Sequence, residues 1–137
     1  MRALLFHCKE YRVKIGKLAN RPNGIIPEEV KSKTESIKNC VLIFTTIEKA
    51  DTIKQVNELV FEITKMALEV KENKIVILPF AHLSNNLGGT ETSIKLLDSI
   101  CKKLEANFKI SRAHFGSHKE LLFHLYGHPG NARYREF

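Results

Sequence analysis

From Ile53 onward, apolar residues fall at Val56, Leu59, Val60, Ile63, Met66, Ala67 and Val70, in steps of three and four that set them on one face of a helix. The spacing predicts an amphipathic helix from Thr52 to about Lys71, and Thr52 with Gln55 has the form of a capping box at its start. A second stripe, Ile94, Leu97, Ile100, Cys101 and Leu104, predicts a helix from about Thr92 to Glu105 with Thr90 as its cap. Each stripe needs a sheet to cover.

Strands are expected at Arg2 to His7, in a basic hairpin near Glu10 to Lys17, and at Cys40 to Thr46, Lys74 to Leu78, Phe108 to Ala113 and Leu121 to Tyr126. The order β-β-β-α-β-α-β-β describes one α/β domain over residues 1–137, a mixed sheet or partial barrel with two main helices packed on it. Asn20-Arg21-Pro22-Asn23-Gly24 reads as a turn, and Pro27 to Lys38 as a polar connection with room for a short helix. No repeat or linker divides the chain.

Composition narrows the class. A chain of 137 residues with 43% hydrophobic and 27% charged residues can bury a core without metal or disulfide staples. No apolar run approaches the roughly 18 residues of a membrane span, and the apolar start at Met1 to His7 is too short for a signal peptide. A cytoplasmic protein is expected. Cys8, Cys40 and Cys101 are odd in number and widely spaced, which predicts reduced, buried thiols.

The formal charge of +7 favours a polyanionic partner, and the basic residues bunch at Arg12, Lys14, Lys17 and Arg21 and again at Lys31, Lys33 and Lys38. Arg12, Lys14, Lys17 and, in the tail, Arg133 are the expected RNA-contacting residues. Aromatic-rich sheet motifs and zinc-finger spacings are absent. His114 and His118, like His124 and His128, are four apart, but glycines and a strand pattern interrupt both pairs, so no metal is expected.

The stretch Lys74-Ile75-Val76-Ile77-Leu78 ends at Pro79, which cannot donate to a sheet ladder, and hands over to His82. Carboxyl ends of strands are where open sheets hold ligands. Pro79-Phe80-Ala81-His82-Leu83-Ser84, then Phe115-Gly116 with Lys119 close behind, then Gly127-His128-Pro129, occur in an order that resembles the amino-terminal editing domain of archaeal threonyl-tRNA synthetases. With Arg2 to His7 and Phe44 to Lys49 the resemblance covers nearly the whole chain.

That resemblance implies a D-aminoacyl-tRNA deacylase-like fold, a homodimer, and hydrolysis of L-serine wrongly esterified to threonine tRNA, without a cofactor. A synthetase body, in cis or in trans, is the implied companion. Lys119 matches the family's functional lysine and His82 its pocket histidine; His118 stands where the family has a tyrosine. Thr46, Ile47, Pro79, Phe80, Ala81 and Gly116 fall where the family grips the aminoacyl group. Ala132 stands where the family places a glutamate, and Glu48, Glu120 and Glu136 are the candidates to replace it.

Plainer readings stand beside these. His82 serves equally as a turn histidine, Lys119 as a solvated lysine, Gly127-His128-Pro129 as a simple turn and Cys8 as an inert thiol. Two other functions share the pattern: a D-aminoacyl-tRNA deacylase, and a non-catalytic tRNA-binding relic of the editing domain.

Overall fold

The computed structural model describes residues 1–137. Eight elements follow one another: β1 (Arg2–Leu18), β2 (Thr34–Thr46), α1 (Ile53–Val70), β3 (Lys74–Pro79), α2 (Thr90–Leu104), β4 (Lys109–Arg112), β5 (Ser117–Leu125) and β6 (Ala132–Glu136). The sheet runs β4-β3-β2-β1-β5, with β6 also on β1. β2, β3 and β4 are parallel neighbours, whereas β1 is antiparallel to β2, β5 and β6. The expected mixed sheet with two helices is therefore present.

Three differences from the sequence expectation have clear causes. The strand and hairpin expected at Arg2–His7 and Glu10–Lys17 are one strand of 17 residues, because a bulge between Cys8 and Glu10 restores the inward alternation at Tyr11, Val13 and Ile15. The polar connection ends at Lys33 rather than Lys38: Thr34 to Lys38 are already strand, paired with Lys14 to Glu10. The tail beyond Gly-His-Pro forms β6, whose side chains are too polar to read as a strand and which is ordered by pairing Ala132 with Phe6 and Glu136 with Arg2.

β2-α1-β3 and β3-α2-β4 are successive parallel crossovers, and right-handed connections put both helices on one face. There Val56, Leu59, Ile63 and Met66 of α1 and Leu97, Ile100 and Leu104 of α2 pack on Ala3, Leu5, Val41, Ile43, Ile75 and Ile77. Thr52 caps α1 as expected, accepting from the Lys54 amide while its own amide donates to Gln55 Oε1 at 2.9 Å. Gly89, not Thr90, precedes α2; Thr90 is its first residue and its hydroxyl turns to the Gly24 carbonyl at 3.4 Å.

No helix covers the other face, yet it holds a second core of Cys8, Tyr11, Val13, Ile15, Cys40, Leu42, Phe44, Val76, Leu78 and Ala113. At about 3.3 Å per residue, a straight β1 would be too long to touch one cluster with both ends. Leu4 and Phe6 nevertheless share it with Val13, Ile15 and Leu121. The bulged β1–β5 ribbon curls over this face and makes a partial barrel with a concave, aromatic-lined side. No helix is long and apolar enough to cross a membrane.

Candidate active site

At the carboxyl ends of β2 and β3 two loops are zipped together. The Phe80 amide donates to the Thr45 carbonyl at 2.9 Å, the Thr46 hydroxyl donates to the Phe80 carbonyl, and the Gly88 amide donates to the Ile47 carbonyl at 2.9 Å. Phe80 has thus spent both peptide groups inside the protein. Ala81 and His82, exposed just beyond it, have amides with no partner in the chain. The His82 ring stands edge-on to Phe80, 5.1 Å between centroids at 76°. Thr46 and Ile47 are buried beneath the loop, and Pro79 is half-buried in the strand beside Thr45.

A charged clamp fixes this loop from below. Glu48 accepts from the Met1 amine at 2.9 Å, from the Ser84 hydroxyl, and pairs with Arg2 Nε at 3.2 Å, while Arg2 Nη1 donates to the Leu83 carbonyl at 3.3 Å. The Ser84 hydroxyl and then the buried amine hold the Glu48 carboxyl below its ordinary range. Asp51 takes the amine at 2.5 Å and the Glu48 amide at 2.6 Å.

Lys119 enters from β5. Strand alternation sends Ser117, Lys119, Leu121 and Phe123 to the concave side and His118, Glu120, Leu122 and His124 to the exposed one. His118, a catalytic candidate from the sequence, is thus exposed on the face of β5 opposite Lys119. Lys119 is half-buried and donates to the Ser117 carbonyl at 3.0 Å. Burial pushes its ammonium down to about 8, with the Glu28 charge opposing the shift. A half-buried ammonium shifted this close to neutral pH is the kind of group that catalytic sites use.

Between Lys119 and His82 runs a row of rings. His82 meets Phe80, Phe80 meets Phe44 at 5.0 Å, and Phe44 meets Phe123 at 5.4 Å. Phe123 lies four residues along β5 from Lys119, about 13 Å at strand spacing. The two expected catalytic side chains therefore share one concave face but stand at its opposite ends in a single chain.

The turn between β4 and β5 that leads to Lys119 is held by residues that sequence reasoning missed. Arg112 grips Glu28 through two bonds, Nη1 to Oε2 at 3.0 Å and Nη2 to Oε1 at 2.5 Å, and the Phe115 amide donates to Oε2 at 2.9 Å. Burial works against the Glu28 charge, but the guanidinium and the amide still hold its carboxyl below the usual range. His114 bridges the Ser117 hydroxyl and the Glu28 carbonyl, each at 2.8 Å. Nothing in the local sequence announces this network, because its halves are 84 residues apart.

None of the three carboxylates expected to replace the family glutamate faces Lys119. Glu48 is consumed by the clamp, Glu136 pairs with Arg2 Nη2 at 2.9 Å, and Glu120 is exposed on the opposite side of β5. Glu28, from the connection after β1, is the one whose charge reaches it.

Among the expected RNA-contacting residues, Lys14 and Lys17 are exposed, and Arg12 is tied to Glu10 at 2.7 Å. Arg133 is held by Glu69 at 2.6 Å and by the Gly130 carbonyl, so its guanidinium is engaged within the fold. No group of three or more metal-ligating side chains converges. The three cysteines are buried and unpaired by disulfide.

The whole chain, residues 1–137, matches the model of the archaea-specific editing domain of threonyl-tRNA synthetase. It is 35% identical over 126 residues to the threonine-tRNA ligase editing subunit of Saccharolobus solfataricus, covering 92% of the chain and 32% of that protein. It is 30% identical over 132 residues to the threonine-tRNA ligase of Staphylothermus marinus, with 94% and 21% covered. The chain thus spans about a third of one relative and about a fifth of the other. Among solved structures it is similar to the c-Myc DNA unwinding element binding protein, with a TM-score of 0.73 at 15% identity over 100% of the chain and 99% of that protein. At that identity the likeness concerns the fold alone.

Proposed function

Because the chain belongs to the archaea-specific family of threonyl-tRNA synthetase editing domains, we propose that it removes L-serine from mischarged threonine tRNA by hydrolysis of the aminoacyl ester. Serine lacks one methyl group of threonine, and a methyl-sized difference supports only about 1 to 3 kcal/mol of discrimination at a single site. A second, hydrolytic site on a small domain answers that need.

The observation that supports the reading most is Lys119, whose half-buried ammonium is pushed down to about 8 on the same concave face that ends at His82 and the open amides of Ala81 and His82. A water attacks the ester carbonyl carbon and the carbonyl oxygen gains negative charge; as the carbonyl re-forms, the ester C–O bond breaks and the water's proton passes to the departing terminal ribose oxygen, giving free serine and a tRNA hydroxyl. The Lys119 ammonium stabilises the oxyanion and orients the water, the role in which preorganised charge is most effective. The peptide amides past Phe80 and the His82 imidazole hold the aminoacyl and ribose end. Lys14 and Lys17, exposed on the far half of β1, meet the RNA backbone.

The active species is a cytoplasmic homodimer that serves a synthetase body in cis or in trans. The outer edge of β5 has no partner strand, which suits strand-to-strand pairing of two copies, and Leu122 and Phe123 are 46% and 38% exposed on the two faces beside it. A second copy also supplies a route by which Lys119 of one chain approaches His82 of the other.

The test is release of amino acid from threonine tRNA charged with L-serine, L-threonine or D-serine, in parallel. Rapid loss of L-serine alone supports the proposal. Preferential loss of the D-ester identifies a D-aminoacyl deacylase, and salt-dependent binding without cleavage identifies a non-catalytic module; either overturns it.

A further inference from the structure

Gly127-His128-Pro129 does more than turn the chain between β5 and β6, and the proposed hydrolysis uses none of it. His128 Nε2 lies 2.7 Å from His7 Nδ1, His7 Nε2 lies 3.1 Å from Glu72 Oε1, and His128 Nδ1 lies 2.9 Å from the Pro129 carbonyl oxygen. His7 is 7% exposed on β1, and Glu72 follows the left-handed Lys71 that ends α1. Three segments remote in sequence meet in this one row.

Both ends of the row are acceptors: a carboxylate and a peptide carbonyl. His7 Nε2 and His128 Nδ1 must therefore each carry a hydrogen, and one more must lie between the rings. Three hydrogens on four ring nitrogens is one more than two neutral imidazoles hold. Removing one leaves two hydrogens for three bonds. Adding a fourth sets N–H against N–H across 2.7 Å.

We propose that His7 and His128 share a single bound proton and act as a pH-gated clasp, which fastens the Tyr126–Asn131 turn to β1 and to the end of α1 in one charge state and loosens on either side of it. The surroundings suit one positive charge and resist a second. Glu72 stands behind His7; Lys9 places its ammonium 5.4 Å over the Tyr126 ring, which stacks on His7 at 4.3 Å. Arg133, paired with Glu69, donates to Gly130 in the same turn. From the sheet, the Cys40 thiol feels the charges of both Glu72 and Lys74. The Tyr126 phenol donates to Asn39 and adds no charge. The turn is otherwise tied to β1 by two backbone hydrogen bonds, from the Tyr126 amide to the His7 carbonyl and from the His7 amide to the Asn131 carbonyl.

Amide hydrogen exchange of His7, Tyr126 and Asn131, whose amides close the turn and tie it to β1, corrected for intrinsic rates, tests the clasp between about pH 4.5 and about pH 9, on either side of the ordinary histidine range. Wild-type protection should peak at intermediate pH and fall roughly three- to tenfold toward both limits, the effect of one hydrogen bond. His128→Gln, at a half-buried position, should abolish the peak, and interior amides of α1 should show none in either protein. At the peak, ring-nitrogen spectra should show three protonated nitrogens over the two rings. Protection that is flat or monotonic in the wild type, a peak retained in His128→Gln, or two neutral rings at the peak would each overturn the proposal.

Discussion

Gly116 lies so close to Pro27 that a β-carbon on it would stand 2.7 Å from the Pro27 Cα, and its φ of 80° is one that side chains rarely adopt. Around this contact the Ala19 amide donates to the Gly116 carbonyl at 2.9 Å and the Glu28 amide to the Phe115 carbonyl at 3.3 Å. The polar connection after β1 is thereby strapped to the turn from which Lys119 projects. Gly116→Ala should lower stability by about 1 to 3 kcal/mol, the usual cost of a strained backbone position, and should loosen Lys119 with it. Gly127→Ala, where a β-carbon meets nothing within 4 Å, is the control and should shift the urea midpoint far less.

The Arg112–Glu28 pair gives a second prediction. Arg112→Ala leaves the Glu28 carboxylate half-buried with only the Phe115 amide, and a charge-assisted bond of this kind contributes about 1.5 to 3 kcal/mol. Since Glu28 is held below its ordinary value, the pair's contribution is present above the usual carboxylate range and is lost as pH falls through the lower folded value. Acid unfolding curves should therefore be shallower in Arg112→Ala than in the wild type. Equal acid sensitivity in the two proteins would remove Glu28 from the account.

Lys119 titrates in the opposite sense. Its folded value of about 8 lies below that of a free lysine, so the unfolded chain binds the extra proton and stability should rise with pH from about 8 to about 10.5. Lys119→Met should erase that rise. If the ammonium is the working form, ester cleavage above the spontaneous rate should decline as pH passes about 8. Cleavage that increases through this range would show that the neutral amine, acting as a base, is the active species.

Thr52→Ala removes the side-chain half of the capping box on α1, and should cost about 1 kcal/mol. Thermal unfolding measures it. The ester hydrolysis rate below the transition should be unchanged, because the Thr52 side chain bonds only to Lys54 and Gln55 in the first turn of α1.

Both helices were legible in the sequence because their stripes follow one local rule, and Thr52 with Gln55 marked one start to the residue. β1 was misread as two pieces because the Cys8–Glu10 bulge mimics a break in alternation. β6 was missed because Arg133, Arg135 and Glu136 give no apolar signal; pairing with β1 and ion pairs from Arg133 to Glu69 and Arg135 to Glu62 hold it instead. Motif order singles out Lys119 and His82 as candidates, whereas the Glu28–Arg112 and His7–His128 pairings arise from contacts between distant segments. No spacing rule reaches them.

The central claim is that the Lys119 ammonium does the chemical work. Its most direct measurement is single-turnover release of L-serine from seryl-threonine tRNA by the wild type and by Lys119→Ala, with folding checked by exchange protection of α1. The account predicts a loss of about 100-fold or more in the variant, the usual effect of removing one oxyanion-stabilising donor, with threonine spared by both. A Lys119→Ala protein that is folded and cleaves the seryl ester at the wild-type rate would contradict it.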